Sequence, residues 1–80
     1  MQRRHFAVLA DTLAGAYQFH VQPFQKPEQY TTRLATWRGT VETIAATLKV
    51  NYPLFDRERF YEAIAKPTGL TVATIKGLSA

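Results

Sequence analysis

The sequence predicts an all-α fold, a small bundle of three main helices with either a short fourth helix or an extended tail at the C-terminus. Three observations lead to this prediction. Apolar residues recur at steps of three and four along most of the chain, prolines separate the stretches that show this spacing, and 80 residues suffice for one domain. We therefore expect residues 1–80 to form a single helical domain.

The first predicted helix runs from Arg3 to about Tyr17. Its apolar residues recur at helical spacing and line one face: Phe6, Leu9, Ala10, Leu13, Ala16 and Tyr17. Prolines 23 and 27 remove backbone donors and disfavour helix in the residues before them, which predicts a connector of about ten residues over 19–29. Phe19, Val21 and Phe24 lie in this connector, and we expect them to pack against the core.

The second predicted helix has the most regular apolar stripe of the chain. Its members step by four and three in alternation: Tyr30, Leu34, Trp37, Val41, Ile44 and Leu48. This stripe predicts a helix from about Glu28 to Lys49. Pro53 should end it, since proline biases the preceding residue towards extended geometry and Asn51 tolerates turn conformations.

A strong start signal marks the third helix. Asp56 is a favourable N-cap, and Phe55 and Phe60 are spaced to form a hydrophobic staple across the helix start. The helix should run from Arg57 to about Ala65, where the following proline and glycine, at 67 and 69, stop it. Periodicity does not decide whether the segment beyond them is a short helix capped by Thr71 or an extended tail.

The predicted core combines the apolar faces of the three helices. Its members are Phe6, Leu9, Leu13, Trp37, Val41, Ile44, Phe55, Phe60 and Ile64.

Composition narrows the classes of function. The chain has no cysteine, two histidines that lack a partner at metal-ligand spacing, and four isolated glycines that form no phosphate-binding loop. Its apolar runs fall far short of the roughly 20 residues that a membrane span needs. We therefore predict no catalytic, cofactor-binding or metal-binding residue, no small-molecule substrate and no membrane association, and we expect a cytoplasmic protein that is not an enzyme.

One face of the second helix carries small uncharged side chains where lysine and glutamate are usual. Five threonines at helical spacing define this threonine face: Thr32, Thr36, Thr40, Thr43 and Thr47. The charges Arg38, Glu42 and Lys49 lie on one flank. Such a face suits close approach by a helix of a partner protein or of a second copy. Two alternatives are that another part of the same chain covers the face and that the threonines simply face water.

A second feature suggests nucleic-acid binding. Ala65, Gly69 and Ile75 match the spacing of a helix-turn-helix, and the net charge of +4 would favour an acidic partner. The candidate contacts within residues 57–79 are Arg57, Arg59, Thr71, Thr74 and Lys76. The alternative is a capped helix followed by a short packing segment. The mixture of aromatic and basic residues around Tyr52 and Tyr61 resembles one that stacks on nucleic-acid bases and neutralises phosphates. A solvated helix face explains the same mixture.

The opening Arg3–Phe6, followed by Leu9 and Ala10, is similar to an "RKHF" start, and Asn51–Ala63 contains a segment similar to "NPxFDRxRF" with Tyr52 inserted. These two stretches resemble a family of small proteins encoded by tailed bacteriophages and prophages, particularly those of actinobacteria. The resemblance implies a small helical accessory protein in the host cell and brings no established activity to carry over to this chain. The leading hypothesis is thus a protein that binds a host or phage protein, or itself. The second is a small DNA-binding protein.

Overall fold

The computed structural model describes the backbone of residues 3–77 and the side chains of residues 4–77. Within that range the chain forms four helices and no strand: α1 (Arg3–His20), α2 (Pro27–Asn51), α3 (Arg57–Thr68) and α4 (Val72–Lys76). The predicted all-α fold is therefore confirmed, and the segment after Gly69 forms the short fourth helix. The end of the 57–79 segment, residues 78 and 79, lies outside the described residues.

Helix α1 continues one turn beyond its predicted end. The backbone amides of Val21 and Gln22 both donate to the carbonyl oxygen of Tyr17 at 2.9 Å, which turns the chain out of the helix. The connector is only residues 21–26, shorter than predicted, because Pro27 occupies the first turn of α2, where its missing N–H is not needed.

The added turn of α1 changes where the connector's aromatic residues lie. Val21 is buried as expected, and Phe24 is half-buried with the guanidinium carbon of Arg33 3.6 Å from its ring centroid. Phe19 is 77% exposed, so its expected packing against the core is wrong. Helical geometry places Phe19 on the outer side of α1, whereas Tyr17 and Val21, two residues to either side, are buried.

The start of α3 forms as the sequence predicted. The Oδ1 atom of Asp56 accepts a hydrogen bond from the backbone amide of Arg59 at 3.2 Å, and the Phe55 and Phe60 ring centroids lie 5.3 Å apart. Both phenylalanines are buried. The cap and the staple together fix the angle at which the chain enters α3.

Helix α3 ends at Thr68, later than predicted, because Pro67 interrupts only its last turn. The amide of Gly69 still donates to the carbonyl oxygen of Ala65 at 2.9 Å, and the hydroxyl of Thr68 donates to the carbonyl oxygen of Ile64 at 2.9 Å. Proline lacks an amide donor and its ring crowds the carbonyl group four residues earlier, and at Pro67 this affects only the last turn of the helix. Gly69 then leaves the helix with a φ of 74°, in the left-handed region that favours glycine.

Helix α4 is short but capped at both ends. The hydroxyl of Thr71 accepts from the amide of Thr74 at 3.1 Å, and Gly77 ends the helix with a φ of 77°. Ile75 is 1% exposed and belongs to the main core cluster. Burial of this side chain holds in place a helix far too short to be stable in isolation.

The core lies between α1, α3 and the inner side of α2. Six of the nine predicted core residues are buried, and Phe6, Leu9 and Ile44 are only partly buried. The buried residues outside that predicted core are Ala10, Ala14, Tyr17, Val21, Ala45, Leu48, Tyr61 and Ile75. Of these, Val21 was expected to pack against the core, and Ala10, Tyr17 and Leu48 lie on the predicted apolar faces. The indole Nε1 of Trp37 donates to the carbonyl oxygen of Leu13 at 2.8 Å, which fixes α2 against α1 by a buried polar contact.

Tyr61 departs most from its predicted environment. The expected solvated face would have exposed it, yet it is 2% exposed. Its ring packs beside Phe60 at a centroid distance of 6.5 Å, and its hydroxyl reaches across to Glu42 of α2. Partners on a different helix, which spacing along α3 does not reveal, bury this side chain.

No helix formed by residues 3–77 combines the length and apolar character needed to cross a bilayer.

The docking of α4 on the core leads to a stability prediction. Replacement Ile75→Ala should lower the free energy of unfolding by about 2–5 kcal/mol, because it leaves a cavity where a fully buried side chain was. Urea denaturation followed by circular dichroism measures this loss. The control Val8→Ala, at a side chain that is 61% exposed, should change it by less than about 0.5 kcal/mol. Equal stabilities of the two variants would contradict the docked position of α4.

Candidate functional site on the outer face of helix α2

All five threonines of the threonine face are exposed. Each hydroxyl donates to the carbonyl oxygen four residues earlier in the same helix, at distances of 2.8–3.2 Å. The alternative that another part of the chain covers the face is therefore not met, and the threonines face water in the single chain.

The hydrogen bonding of these hydroxyls determines the chemistry of the face. Because each donor proton is already used within the helix, each threonine presents its γ-methyl group and the acceptor side of its hydroxyl oxygen to a neighbour. Removing such a surface from water leaves no hydroxyl proton unpaired, so its desolvation costs little. The face can thus accept a close apolar contact.

Val50 extends the threonine face and was missed in the sequence. It lies seven residues after Thr43 and three after Thr47, which places it on the same side of the helix, and it is 81% exposed. The spacing alone could have identified it. With Val50 the face presents small and apolar groups over most of the length of α2.

The charged flank of α2 is engaged by the rest of the molecule. The Nζ atom of Lys49 donates to the carbonyl oxygens of Pro53 at 2.7 Å and Phe55 at 3.2 Å. The side chain of Arg38 lies against Gly77, at the end of α4. These contacts turn the charges of the flank towards the turn after α2 and towards α4, away from the threonine face. At the N-terminal end of that face, Glu28 and Arg33 lie beside Thr32.

A small polar cluster joins the same flank to α3. The hydroxyl of Tyr61 donates to Oε2 of Glu42 at 2.8 Å, and a guanidinium nitrogen of Arg57 lies 3.9 Å from Oε1 of the same carboxylate. Burial of the Tyr61 ring, followed by this hydrogen bond to a carboxylate, raises the pKa of Tyr61 from 10.0 to about 12. The cluster is a structural link between α2 and α3.

A second tyrosine pair lies at the other end of the bundle. The hydroxyls of Tyr17 and Tyr30 are 2.6 Å apart. Burial, followed by the hydrogen bond to Tyr30, raises the pKa of Tyr17 to about 12. Both tyrosines with raised pKa values thus connect α2 to another helix.

The candidate DNA contacts do not converge on an open basic surface. Lys76 forms an ion pair with Glu58, and Arg57 is half-buried against Glu42. The hydroxyls of Thr71 and Thr74 lie 2.8 Å apart, within the cap of α4. Arg59 is the most exposed of the three cations, and its Nε atom is 3.8 Å from Oδ2 of Asp56.

The backbone of this segment nevertheless shows part of the helix-turn-helix pattern. Gly69 adopts the left-handed conformation at the turn, and Ile75 is buried six residues later. Helix α4, however, is only five residues long, which is short for a helix that reads a major groove.

The histidines of the chain, His5 and His20, are both exposed and lie at opposite ends of α1. Among residues 3–77, no three histidine, aspartate or glutamate side chains are grouped so that they could hold a metal ion.

Comparison of the chain with protein-family models, with curated proteins and with solved structures finds no match.

The raised tyrosine pKa values predict loss of stability at high pH. An unfolded tyrosine releases its proton near pH 10 and folded Tyr61 near 12. The stability that neutral Tyr61 contributes is therefore complete below pH 10 and is lost as the pH rises towards 12, by on the order of 2 kcal/mol.

Replacement Tyr61→Phe should make the decline in unfolding free energy between these pH values shallower, as measured by urea denaturation at a series of pH values. Val8→Ala, which removes no titratable group at an exposed position, is the control and should retain the slope of the unsubstituted protein. A Tyr61→Phe protein with that same slope would show that the hydroxyl of Tyr61 is not held neutral by its surroundings.

Proposed function

We propose that this chain is a non-enzymatic accessory protein of a bacteriophage or prophage that binds a protein of the host or the phage through the threonine face of α2. The observation that carries the proposal is that all five threonines are exposed while their hydroxyls are bonded to their own helix. The resemblance of Arg3–Phe6 and Asn51–Phe60 to phage-encoded proteins supports a bacteriophage or prophage as the source of the chain. The same resemblance implies that the protein acts in the host cytoplasm.

The threonine face suits a partner helix with small or apolar residues. Small side chains let two helix axes approach closely, and the flanking charges, held by contacts within the chain, do not obstruct the approach. The exposed side chain of Val50 at one end of the face provides a larger apolar contact. Contact area of this kind, with few polar groups to desolvate, stabilises a protein complex.

Site-specific photo-crosslinking tests this proposal. A photoreactive amino acid at position 36 or 43 of the full chain, expressed in bacteria that carry the related phage genes, should capture the same discrete protein. The matched control is position 31, an exposed threonine on the charged flank of the same helix. Capture of the same proteins from position 31 as from 36 and 43 would contradict a face-specific contact.

Substitution then shows whether the captured complex depends on the face. Thr36→Lys combined with Thr43→Lys should weaken binding at least about tenfold, because each lysine places a charge in the contact. Thr31→Lys should leave binding unchanged. Since all three positions are exposed, circular dichroism should show the same helix content for every variant. Undiminished binding by the double variant would overturn the proposal.

DNA binding remains the second candidate, since the Gly69 turn and the buried Ile75 fit the helix-turn-helix spacing. It receives less support, because Lys76 and Arg57 already face carboxylates within the chain.

Fluorescence anisotropy with a labelled generic duplex at low and moderate salt decides between the two functions. We expect no binding at either salt concentration. Steeply salt-dependent binding that Arg59→Glu abolishes would contradict this expectation and favour the DNA-binding function. Arg59 is chosen because its side chain is 70% exposed, so the substitution should not disturb the fold.

A further inference from the structure

Few contacts join helix α4 to the rest of the molecule. It packs against α3 and α2, and within residues 3–77 its backbone does not approach α1. Ile75 is its one buried side chain, while Leu70 and Val72 are half-buried against the core. The other buried members of the core cluster lie in α1, α2, α3 and the turns between them. The core of the first three helices therefore stays largely complete without α4.

The backbone hydrogen bonds of α4 close within its own segment. The hydroxyl of Thr71 accepts from the amide of Thr74, and the amide of Ile75 donates to the carbonyl oxygen of Thr71 at 3.1 Å. The amide of Gly77 donates to the carbonyl oxygens of Ala73 and Thr74. Release of α4 thus breaks no backbone hydrogen bond of α2 or α3 among the described residues. Because a helix of five residues is not stable alone, the released segment gives up its own hydrogen bonds to water.

Two polar contacts hold the end of α4 against its neighbours. The ammonium of Lys76 forms an ion pair with Glu58, in the first turn of α3, and lies 5.7 Å from the ring centroid of Tyr61. The side chain of Arg38 on α2 lies against Gly77. The side chains of Lys76 and Glu58 are 28% and 58% exposed, so water and salt ions compete with their attraction.

The connection between α3 and α4 provides a hinge. It consists of residues 69–71, and Gly69 adopts the left-handed conformation with a φ of 74°. Glycine reaches most other backbone conformations at low cost, so rotation at Gly69 can carry α4 away without disturbing α3. The amide of Leu70 donates to the hydroxyl of Thr68 at 3.3 Å, which is long for such a hydrogen bond and therefore a weak restraint on the hinge.

We propose that α4 is a strap, which opens from α2 and α3 about the hinge at Gly69 while the core of α1, α2 and α3 stays folded. Opening uncovers the site that Ile75 occupies and frees the side chains of Lys76 and Arg38. The uncovered site suits a branched apolar side chain next to a cation, since Ile75 and Lys76 supply these groups in the closed state. Strap opening is independent of any partner at the threonine face, which is exposed in the closed state as well.

Hydrogen exchange of the backbone amides, followed by nuclear magnetic resonance on the full chain, tests the strap. The amide of Ile75 should be at least about tenfold less protected than the amides of Val41 and Ile64, because opening of α4 costs less than unfolding of the whole chain. Low concentrations of urea should accelerate exchange at Val41 and Ile64 more than at Ile75, since opening exposes little new surface. Equal protection at the three amides, with equal dependence on urea, overturns the proposal.

A substitution in α1 separates opening of α4 from global unfolding. Ala10→Gly should lower the protection of Val41 and Ile64 at least about fivefold, because glycine destabilises a helix interior. It should leave the protection of Ile75 unchanged, since α4 packs only against α2 and α3, which both stay folded when the strap opens. A parallel loss of protection at all three amides would show that α4 opens only when the whole chain unfolds.

A second substitution tests whether the ion pair holds the strap closed. Lys76→Gln should lower the protection of Ile75 about twofold to fivefold, and moderate salt should cause a similar loss in the unsubstituted protein. The matched control Lys26→Gln removes the same charge from an exposed residue at the start of α2 and should leave the protection of Ile75 unchanged. Equal protection of Ile75 in the two variants would contradict a strap held by Glu58.

Discussion

Helix α2 has too few neighbours to be covered on both sides, and the rest of the structure depends on this constraint. Its 25 residues span about 37 Å at 1.5 Å per residue, close to the 39 Å length of the whole molecule. The other three helices pack against one side of it. A chain of 80 residues offers no further helix of comparable length, so the side opposite Trp37 and Val41 remains at the surface.

The side of α2 that faces the other helices combines apolar burial with a few polar contacts that join it to each of them. Trp37 reaches the backbone of α1, Glu42 receives the hydroxyl of Tyr61 from α3, and Arg38 lies beside the end of α4. The indole of Trp37 and the hydroxyl of Tyr61, both on buried side chains, thereby gain hydrogen-bond partners. This arrangement places Arg38 and Glu42 on the flank of α2 that faces α4 and α3, whereas Glu28 and Arg33 lie beside Thr32 at the other end of the helix.

Several basic residues also bind oxygen atoms of the same chain. The chain carries a net charge of +4, yet several cations are held by oxygens of the chain itself: Arg57 by Glu42, Lys76 by Glu58 and Lys49 by two backbone carbonyls. Net charge therefore overstates the basic surface available to an acidic partner. Contacts by small and apolar groups agree better with what the fold leaves exposed.

The parts of the fold that depend on local sequence could be predicted. The stripe of α2 and the cap at Asp56 follow from spacing and from side-chain chemistry within a few residues. The burial of Tyr61 could not be predicted, because its partner lies nineteen residues away in the sequence. The extension of α3 past Pro67 could not be predicted either. It depends on the hydrogen bonds that Thr68 and Gly69 donate to the carbonyl oxygens of Ile64 and Ala65.

Some features of the candidate site could likewise be predicted from the sequence, and others could not. The threonines could be identified from spacing, and Val50 could have been added by the same rule. That their hydroxyls bond within the helix depends on rotamers that the sequence leaves open. Which helices meet depends on the fold, so no pattern along the chain predicts that Lys76 pairs with Glu58, eighteen residues away.

The environment of Trp37 has a consequence for how this molecule can be observed. It is the only tryptophan of the chain, it is 6% exposed, and its indole is bonded to the backbone of α1 with Tyr17 at a centroid distance of 5.2 Å. It does not belong to the threonine face. Its fluorescence therefore reports the separation of α1 from α2, and unfolding can be distinguished optically from association at that face.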